Sequence, residues 1–197
     1  MNIALIDYGT GNLHSLIKAL EIGGATVRIE QDLEEALNAD AVVLPGVGSF
    51  GAATMQLAGG SAAGAALSSG KPCLGICLGM QLLFDTSEEG AGAGLGVLGG
   101  RVRKLHSRRL PHMGWNEVMM MDDPLFAGLD DLLAYYANSY VVEPLDPSDV
   151  IAWTQYGSER FPAAVRRDSV WGVQFHPEKS GAPGLRLLRN FLAQVAS

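Results

Sequence analysis

The stretch PCLGICLGMQLLF, residues 72–84, joins a short apolar run to an amphipathic run through the motif G-x-C-x-G. The first run predicts a buried strand and the second a helix, so Cys77 lies at the sharp turn between them. Gly75 and Gly79 allow the backbone to turn tightly and keep side chains away from the turn. A cysteine at a helix N-terminus lies in a field that favours thiolate, its reactive form. The stretch therefore predicts a strand–turn–helix unit that presents Cys77 as a candidate nucleophile.

Around this unit, the first half of the chain alternates short apolar runs with helix-like segments. The predicted strands are Ile3–Ile6, Thr26–Ile29, Ala41–Leu44 and Cys73–Ile76. The predicted helices are Asn12–Ile22, Asp32–Leu37 and a weakly specified Ala/Gly-rich region, 51–69. Fully apolar strands that alternate with helices predict a parallel sheet covered on both faces.

The second half of the chain has many short strand-like runs joined by turns, which predict antiparallel pairs at the edge of a mixed sheet. These runs are Leu98–Leu105, Glu117–Met121, Ala134–Tyr136, Val141–Val142, Ile151–Thr154, Ala163–Arg166 and Val170–Phe175. Residues 182–195 predict a closing amphipathic helix, and Glu88–Gly100, with six glycines, predicts a flexible connection. No linker divides the chain, so we expect residues 1–197 to form a single α/β domain with an open, mixed, mostly parallel sheet flanked by helices.

A His-Pro-Glu sequence follows the predicted strand that ends at Phe175. Residues two apart in an extended segment face the same side, so Glu178 could orient the imidazole of His176. The carboxyl ends of parallel strands share one edge of a sheet, so His176 and Cys77 could meet there. A cysteine, a histidine and a carboxylate predict acyl transfer through a thioester, with an amide or an ester as substrate.

A thioester route needs backbone N–H donors that stabilise the oxyanion. One candidate is the N–H of Leu78, next to the nucleophile. Another is the glycine-rich segment Pro45–Gly51, which includes Val47 and Gly48. Gln81 lies one helical turn after Cys77 and could bind a polar substrate.

Composition narrows the function further. The net charge of −7 and the absence of a basic stripe argue against a nucleic-acid-binding protein. The basic residues at 101, 103, 104, 108 and 109 are interpreted as a solvated hairpin rather than a phosphate site. Neither a signal peptide nor a membrane-spanning stretch is predicted. The only cysteines, Cys73 and Cys77, have a spacing that suits neither disulfides nor zinc, which favours a reducing, cytoplasmic compartment.

Several other residues have less specific interpretations. Cys73 is predicted to be a core residue of its strand. The histidines at 14, 106 and 112 are predicted to be surface or structural residues, since no metal-ligand spacing joins them. The segment Gly9–Asn12 precedes a predicted helix and fits either an anion cradle or a tight turn with a helix cap.

The two motifs resemble those of the class I (triad) glutamine amidotransferases, whose glutaminase domain carries G-x-C-x-G and a later H-P-E. Within this family, four segments are similar to the glutaminase subunits of imidazole glycerol phosphate synthases, and the resemblance runs from the first strand to the last helix. The segments are DYGTGNL (7–13), PGVGSFG (45–51), PHMGWN (111–116) and GVQFHPEKSG (172–181).

The resemblance implies a type 1 amidotransferase domain, a flavodoxin-like three-layer sandwich, in which Cys77 attacks the glutamine amide, His176 moves protons and Glu178 orients the histidine. The ammonia would pass to a partner cyclase, a (β/α)₈ barrel, in a heterodimer that makes imidazole glycerol phosphate, with no cofactor or metal. Further implied roles are an oxyanion strand within Pro45–Gly48, glutamine binding by Gly46, Gly48, Gln81, Ser139 and Tyr140, and contact with the cyclase by Trp115, Asn116 and Lys179.

Asn138 departs from the family pattern, which commonly has histidine there, near the subunit boundary. The departure leaves the triad intact and concerns partner contact or activation. The isolated subunit is expected to be nearly latent, and we hypothesise that the Val47 N–H points away from Cys77 until the partner binds, with Gly46 and Gly48 making a peptide flip sterically easy.

Three other classes fit the motifs less well. An amidotransferase subunit of another synthase is disfavoured by the Gly114-Trp115-Asn116 sequence. A free-standing thiol hydrolase would turn over its substrate without a partner. A non-enzymatic scaffold is disfavoured by the intact Cys77, His176 and Glu178.

Overall fold

The computed structural model describes residues 1–9, 13–46, 48–57 and 61–196. Its strands are β1 (Asn2–Ile6), β2 (Thr26–Glu30), β3 (Ala41–Leu44), β4 (Cys73–Ile76), β5 (Thr86–Ser87), β6 (Gly100–Lys104), β7 (His112–Glu117), β8 (Met119–Met120), β9 (Leu133–Asn138), β10 (Tyr140–Pro144), β11 (Val150–Tyr156), β12 (Glu159–Arg167) and β13 (Val170–Val173). Its helices are α1 (His14–Ile22), α2 (Leu33–Ala36), α3 (Phe50–Gln56), α4 (Ser61–Ser68), α5 (Leu78–Gln81) and α6 (Gly181–Val195), with 3₁₀ turns at Pro124–Phe126, Pro147–Asp149 and Pro177–Lys179.

The main sheet has eight strands in the order β2-β1-β3-β4-β13-β12-β11-β8. The first five are parallel to one another. The last three pair antiparallel at one edge. The prediction of an open, mixed, mostly parallel sheet is therefore confirmed.

Apolar layers cover both faces of this sheet. Alternation along β1 sends Ile3 and Leu5 into one buried cluster with residues of α1 and α6. Ala4 and Ile6 point into the other cluster, with residues of α2, α3 and α4. Burial of each large apolar side chain contributes roughly 1.5–3 kcal/mol, which explains why the central strands β3 and β4 carry no charged residue and are buried at every position.

Two smaller sheets lie outside the main one. One has three strands in the order β10-β6-β5, and the other is the two-stranded ribbon β7–β9. The sequence prediction of one strand over Glu117–Met121 is wrong, because the structure ends β7 at Glu117 and starts β8 at Met119. The buried Val118 between them donates its N–H to Leu132 O at 2.9 Å, away from the main sheet.

The turn after β4 is followed by a shorter helix than its amphipathic pattern predicts. α5 covers Leu78–Gln81 only. The next carbonyls bond outside the helix: Leu82 O accepts from Leu95 N–H at 2.7 Å and Leu83 O from Leu98 N–H at 3.0 Å. The connection that the sequence placed at Glu88–Gly100 is thus hydrogen-bonded to the residues that follow the candidate nucleophile. The predicted helical region 51–69 contains α3 and α4, with residues 58–60 outside the described part.

Candidate active site

The ends of β3, β4 and β13 place the candidate residues at one edge of the sheet. In the parallel register, Leu44 lies opposite Gly75 and Ile76 lies opposite Val173. The N–H of Cys77 continues this pairing by donating to Val173 O at 2.7 Å. Cys77 and the segment that leads to His176 therefore leave the sheet side by side.

Cys77 has a backbone conformation that L-residues rarely adopt, with φ 50° and ψ −104°. The turn is closed by backbone packing, since a Cβ on Gly75 would lie 2.6 Å from the Gly79 carbonyl carbon. A Cβ on Gly79 would lie 2.6 Å from the Leu44 carbonyl carbon. The two glycines of G-x-C-x-G are thus required sterically, and the neighbouring backbone holds Cys77 in a strained turn.

His176 and Glu178 form a direct pair. The imidazole Nδ1 lies 2.9 Å from the Glu178 Oε1, and both side chains are at least nine-tenths buried. Burial by itself lowers the pKa of His176, but its hydrogen bonds and charge interactions with Cys77 and Glu178 outweigh burial and raise this pKa to about 9. The geometry therefore favours an imidazolium beside the sulfur, with the carboxylate holding the ring from the other side.

Gly46, which follows β3, lies against Cys77 and His176. A Cβ on Gly46 would be 2.7 Å from Cys77 Cβ and 2.9 Å from His176 Cε1. Gly48 has φ +101°, which favours glycine. The N–H of Leu78, the first residue of α5, is one of the donors that a helix start leaves without an intrahelical acceptor. Val47, the predicted oxyanion donor, lies outside the described residues.

The predicted glutamine-binding residues Gln81 and Tyr140 are in contact. Gln81 is buried and donates from Nε2 to Tyr140 O at 3.1 Å and to Gln174 Oε1 at 3.3 Å. Gln174 Nε2 lies 3.5 Å from Cys77 Sγ. The Ser139 carbonyl accepts a hydrogen bond from the Leu105 N–H at 2.9 Å.

The three predicted partner-contacting residues do not all point the same way. Trp115 on β7 is 54% exposed, and Lys179 is also exposed. Asn116 faces the opposite side of the ribbon, where its Nδ2 donates to Gln155 O at 2.8 Å. Alternation along β7 therefore separates Asn116 from the face that carries Trp115.

The ribbon β7–β9 is bonded directly to the backbone of His176. His176 N–H donates to Tyr135 O at 2.8 Å. Ser180 Oγ accepts from Tyr135 N–H at 3.0 Å and donates to His176 O at 2.6 Å. On the exposed side, the Tyr135 ring meets Trp115 edge to face at 6.1 Å and lies 5.9 Å from Lys179 Nζ. We call this set of three hydrogen bonds the Tyr135 clamp.

Asn138 lies on the inner side of the same ribbon. It pairs in register with His112 on β7, is buried, and donates from Nδ2 to Tyr140 O at 3.1 Å. His112 stacks on Tyr136 and Tyr156 at 4.7 and 4.1 Å, and burial lowers its pKa to about 4. His112 is thus a structural residue, one of the alternatives predicted for it.

Other sequence interpretations have simpler outcomes. Cys73 is fully buried, and burial raises the pKa of its thiol. The prediction that Cys73 is a core residue of its strand is confirmed. The hairpin predicted around Arg101 and Arg103 is wrong, because both lie on β6, which pairs with the distant strand β10 and with β5. Both arginines form ion pairs with Glu143 on β10. Most of the Gly9–Asn12 segment lies outside the described residues. Across the part of the chain that is described, no helix is long and apolar enough to span a membrane, and no acidic, histidine and cysteine cluster could hold a metal ion.

Two residues of the site were not singled out from sequence. Gln174 precedes His176 by two positions, so strand alternation was the available signal that both face the same side. Ser180 follows the His-Pro-Glu motif, but one of its two hydrogen bonds is with Tyr135, which lies 45 residues away in sequence.

Comparison with known proteins agrees with this arrangement. The model of the family "Glutamine amidotransferase class-I" matches residues 4–195, and the chain belongs to this family. Among its relatives is "Imidazole glycerol phosphate synthase subunit HisH" of Gloeothece citriformis, 46% identical over 98% of this chain and 96% of the relative. Proteins of the same name from Synechococcus elongatus and Halobacterium salinarum are each 48% identical over 99% of this chain and 94% of the relative.

Solved structures support the fold independently. A "Crystal structure of glutamine amidotransferase" superposes with a TM-score of 0.78 at 20% identity, covering 98% of this chain and 99% of that one. A "Structure of PurLQS from Thermotoga maritima" has a TM-score of 0.72 at 20% identity, covering 98% of each chain. The predicted amidotransferase-like sheet with helices on both faces is therefore confirmed.

Proposed function

We propose that this chain is the glutaminase subunit of an imidazole glycerol phosphate synthase. It hydrolyses glutamine to glutamate and ammonia and delivers the ammonia to a cyclase subunit in histidine biosynthesis. The observation that carries the proposal is the meeting of Cys77, His176 and Glu178 at one sheet edge, in a chain that matches subunits of that name over nearly its whole length.

Each proposed chemical step uses these three residues. The Cys77 thiolate attacks the side-chain amide carbon of glutamine, and the carbonyl oxygen takes the negative charge. The His176 imidazolium gives its proton to the leaving nitrogen, so ammonia departs and a thioester remains. Water then attacks the thioester, the neutral His176 takes a proton from that water, and glutamate leaves as the thiolate reforms. Glu178 holds the ring in one orientation throughout.

The proposed partner is a (β/α)₈ barrel cyclase bound as a heterodimer. The outer face of the ribbon supports this, because Met113, Trp115 and Leu133 lie on it with exposures of 64, 54 and 51%. Aromatic and methionine side chains are enriched at protein interfaces. Exposed apolar side chains grouped on one small sheet mark an interaction site.

The Tyr135 clamp supports a link between that face and the triad. A partner that presses on Trp115 also presses on the Tyr135 ring, and the Tyr135 backbone is bonded to both ends of the segment 176–180. Displacement of the ribbon therefore moves the backbone of His176. This is a physical route by which cyclase binding could raise glutaminase activity.

The proposed latency resides in the oxyanion donors. The Val47 N–H would point away from Cys77 in the free subunit, and partner and nucleotide binding would favour the flipped peptide through their higher affinity for that state. The positive φ of Gly48 and the absence of a side chain at Gly46 fit a segment that can change conformation. Val47→Pro, which removes this donor, should abolish the stimulation of glutamine turnover in the complex.

The first experiment measures glutaminase activity of the chain alone, then with a cyclase subunit and its nucleotide ligand. Large stimulation by the pair supports an ammonia-delivering subunit. Full activity of the chain alone would contradict the proposed latency and favour a free-standing thiol hydrolase. Folded protein without activity in either condition would overturn the assignment of this partner.

The matched control separates chemistry from docking. Cys77→Ala should abolish imidazole glycerol phosphate formation from glutamine and leave formation from added ammonia unchanged, since the cyclase then needs no thiol. Loss of both activities would indicate defective folding or docking instead. The cytoplasmic location that we propose is consistent with two free cysteines, one of which must stay reduced.

A further inference from the structure

Gln174 has a polar side chain with no exposed surface, and it lies beside the proposed nucleophile. Its backbone N–H bonds to Ala163 O at 2.9 Å, so strand pairing fixes its position. Burial of an unpaired amide is unfavourable, and such a group is retained where it finds partners. The partners of Gln174 are the sulfur of Cys77 at 3.5 Å and the Gln81 amide at 3.3 Å.

The orientation of the Gln174 amide is determined by the Tyr140 backbone carbonyl, to which it is linked through two successive hydrogen bonds by way of Gln81. Tyr140 O can only accept, so Gln81 must turn its NH₂ group toward it, at 3.1 Å. The second N–H of that group then donates to Gln174 Oε1. With its oxygen engaged, Gln174 presents its NH₂ group to Cys77 Sγ.

An N–H donor beside the sulfur favours the anion. Hydrogen bonds to ionised groups are stronger than those between neutral groups. Among the described residues, a charged group also faces the sulfur: the His176 imidazolium, with the Glu178 carboxylate behind it. His176 must release its proton to the leaving nitrogen in the proposed reaction, whereas the Gln174 N–H keeps its proton throughout the cycle.

We propose that Gln174 is a catalytic residue that stabilises the Cys77 thiolate through its side-chain N–H, and that Gln81 is a positioning residue that fixes the direction of this N–H. The proposal rests on the proposed role of Cys77 as nucleophile. It adds to the site a donor for the sulfur that is distinct from the donors for the substrate oxygen.

The test is the alkylation rate of Cys77 by iodoacetamide in the isolated chain, followed by peptide mass spectrometry from acidic to alkaline pH. Gln174→Met keeps the length and approximate volume of the side chain but removes the N–H donor. It should lower the rate at neutral pH by about tenfold, the effect expected on loss of one hydrogen bond to an anion, and leave the alkaline plateau unchanged. Gln174→Glu, which places a carboxylate beside the sulfur, should lower the rate further.

The Gln81 prediction uses a double mutant. Gln81→Met should also slow alkylation at neutral pH, and the Gln81→Met/Gln174→Met chain should be no slower than Gln174→Met alone, because Gln81 acts through Gln174. Additive effects of the two substitutions would overturn the positioning role. An unchanged pH profile in folded Gln174→Met protein would overturn the catalytic role.

The control is Thr154→Val, which removes the hydrogen bond that the fully buried Thr154 donates from Oγ1 to Glu117 O at 2.6 Å and that does not involve the sulfur. It should leave Cys77 alkylation unchanged. Labelling of the buried Cys73 in the same digests reports unfolding of any variant. A chain that shows the predicted alkylation pattern but no glutaminase activity with a cyclase would support the Gln174 role while refuting the proposed function.

Discussion

Gly46→Ala places a methyl group against Cys77, the proposed nucleophile, and His176, the proposed base. The new Cβ would lie 2.7 Å from Cys77 Cβ, 2.9 Å from His176 Cε1 and 2.9 Å from Ile76 O. Carbon atoms in favourable contact are about 3.5–4.0 Å apart, so the two side chains must retreat by roughly 0.6 Å or more. A misplacement of about 1 Å in an active site can reduce the rate about 10²-fold. We therefore expect kcat for glutamine hydrolysis in the cyclase complex to fall by roughly 30- to 100-fold.

The assay pairs steady-state glutaminase kinetics with urea unfolding. Gly51→Ala is the matched control, because a Cβ there has no neighbour closer than 3.4 Å and Gly51 lies in helix α3. This control should keep full activity and equal or slightly greater stability, since alanine favours helix over glycine by about 1 kcal/mol. A Gly46→Ala enzyme with kcat within about threefold of wild type would refute the reasoning, because the triad would then tolerate a displacement that we argue it cannot.

The remaining predictions concern the charge of His176 and the packing of Gly79, two residues after Cys77. Glu178→Gln should lower the pKa of His176 from about 9, because a charge that favours the imidazolium is lost. NMR titration of the His176 ring signals measures this pKa. An unchanged pKa would contradict the pairing of His176 with Glu178. Because that pKa is raised above the ordinary 6.5, the stability that His176 contributes is fully present below about pH 6.5 and is lost as the pH rises through about 9. Urea midpoints measured over this window should fall with pH, and less so in Glu178→Gln. Gly79→Ala should destabilise the fold by about 2 kcal/mol or more, because its Cβ would lie 2.6 Å from the Leu44 carbonyl carbon, and a urea-derived change below about 0.5 kcal/mol would argue against this contact.

The central part of the parallel sheet was predictable because β3 and β4 are short, fully buried runs without charged residues. Ala41–Leu44 and Cys73–Ile76 have the same bounds in the structure as in the sequence prediction. The ribbon was harder to predict, because His112 is the one buried residue of β7 and the strand includes Gly114 at φ +124°. β7 is stabilised as a strand by pairing with β9, which begins 16 residues after β7 ends. The sequence around β7 therefore contains little local signal for this pairing.

The site was predictable to the extent that chemistry dictates residue types at fixed spacing. Cys77, His176 and Glu178 were predicted from two short motifs, and the structure places them together. The amide of Gln174 could not be oriented from sequence, because its direction depends on Gln81, 93 residues away. Sequence spacing specifies which groups can react, whereas tertiary contacts specify which atom of each group faces the other.

The backbone of Cys77 has a consequence for how this protein can change. A non-glycine residue held at φ 50° and ψ −104° costs about 1–3 kcal/mol, which the surrounding packing must offset. Glycine adopts such angles more readily, so a chain with glycine at this position would fold more favourably but lack the proposed nucleophile. Selection for stability alone would therefore remove the thiol. Its presence in this turn indicates a fold that gives up some stability to hold a thiol at this position.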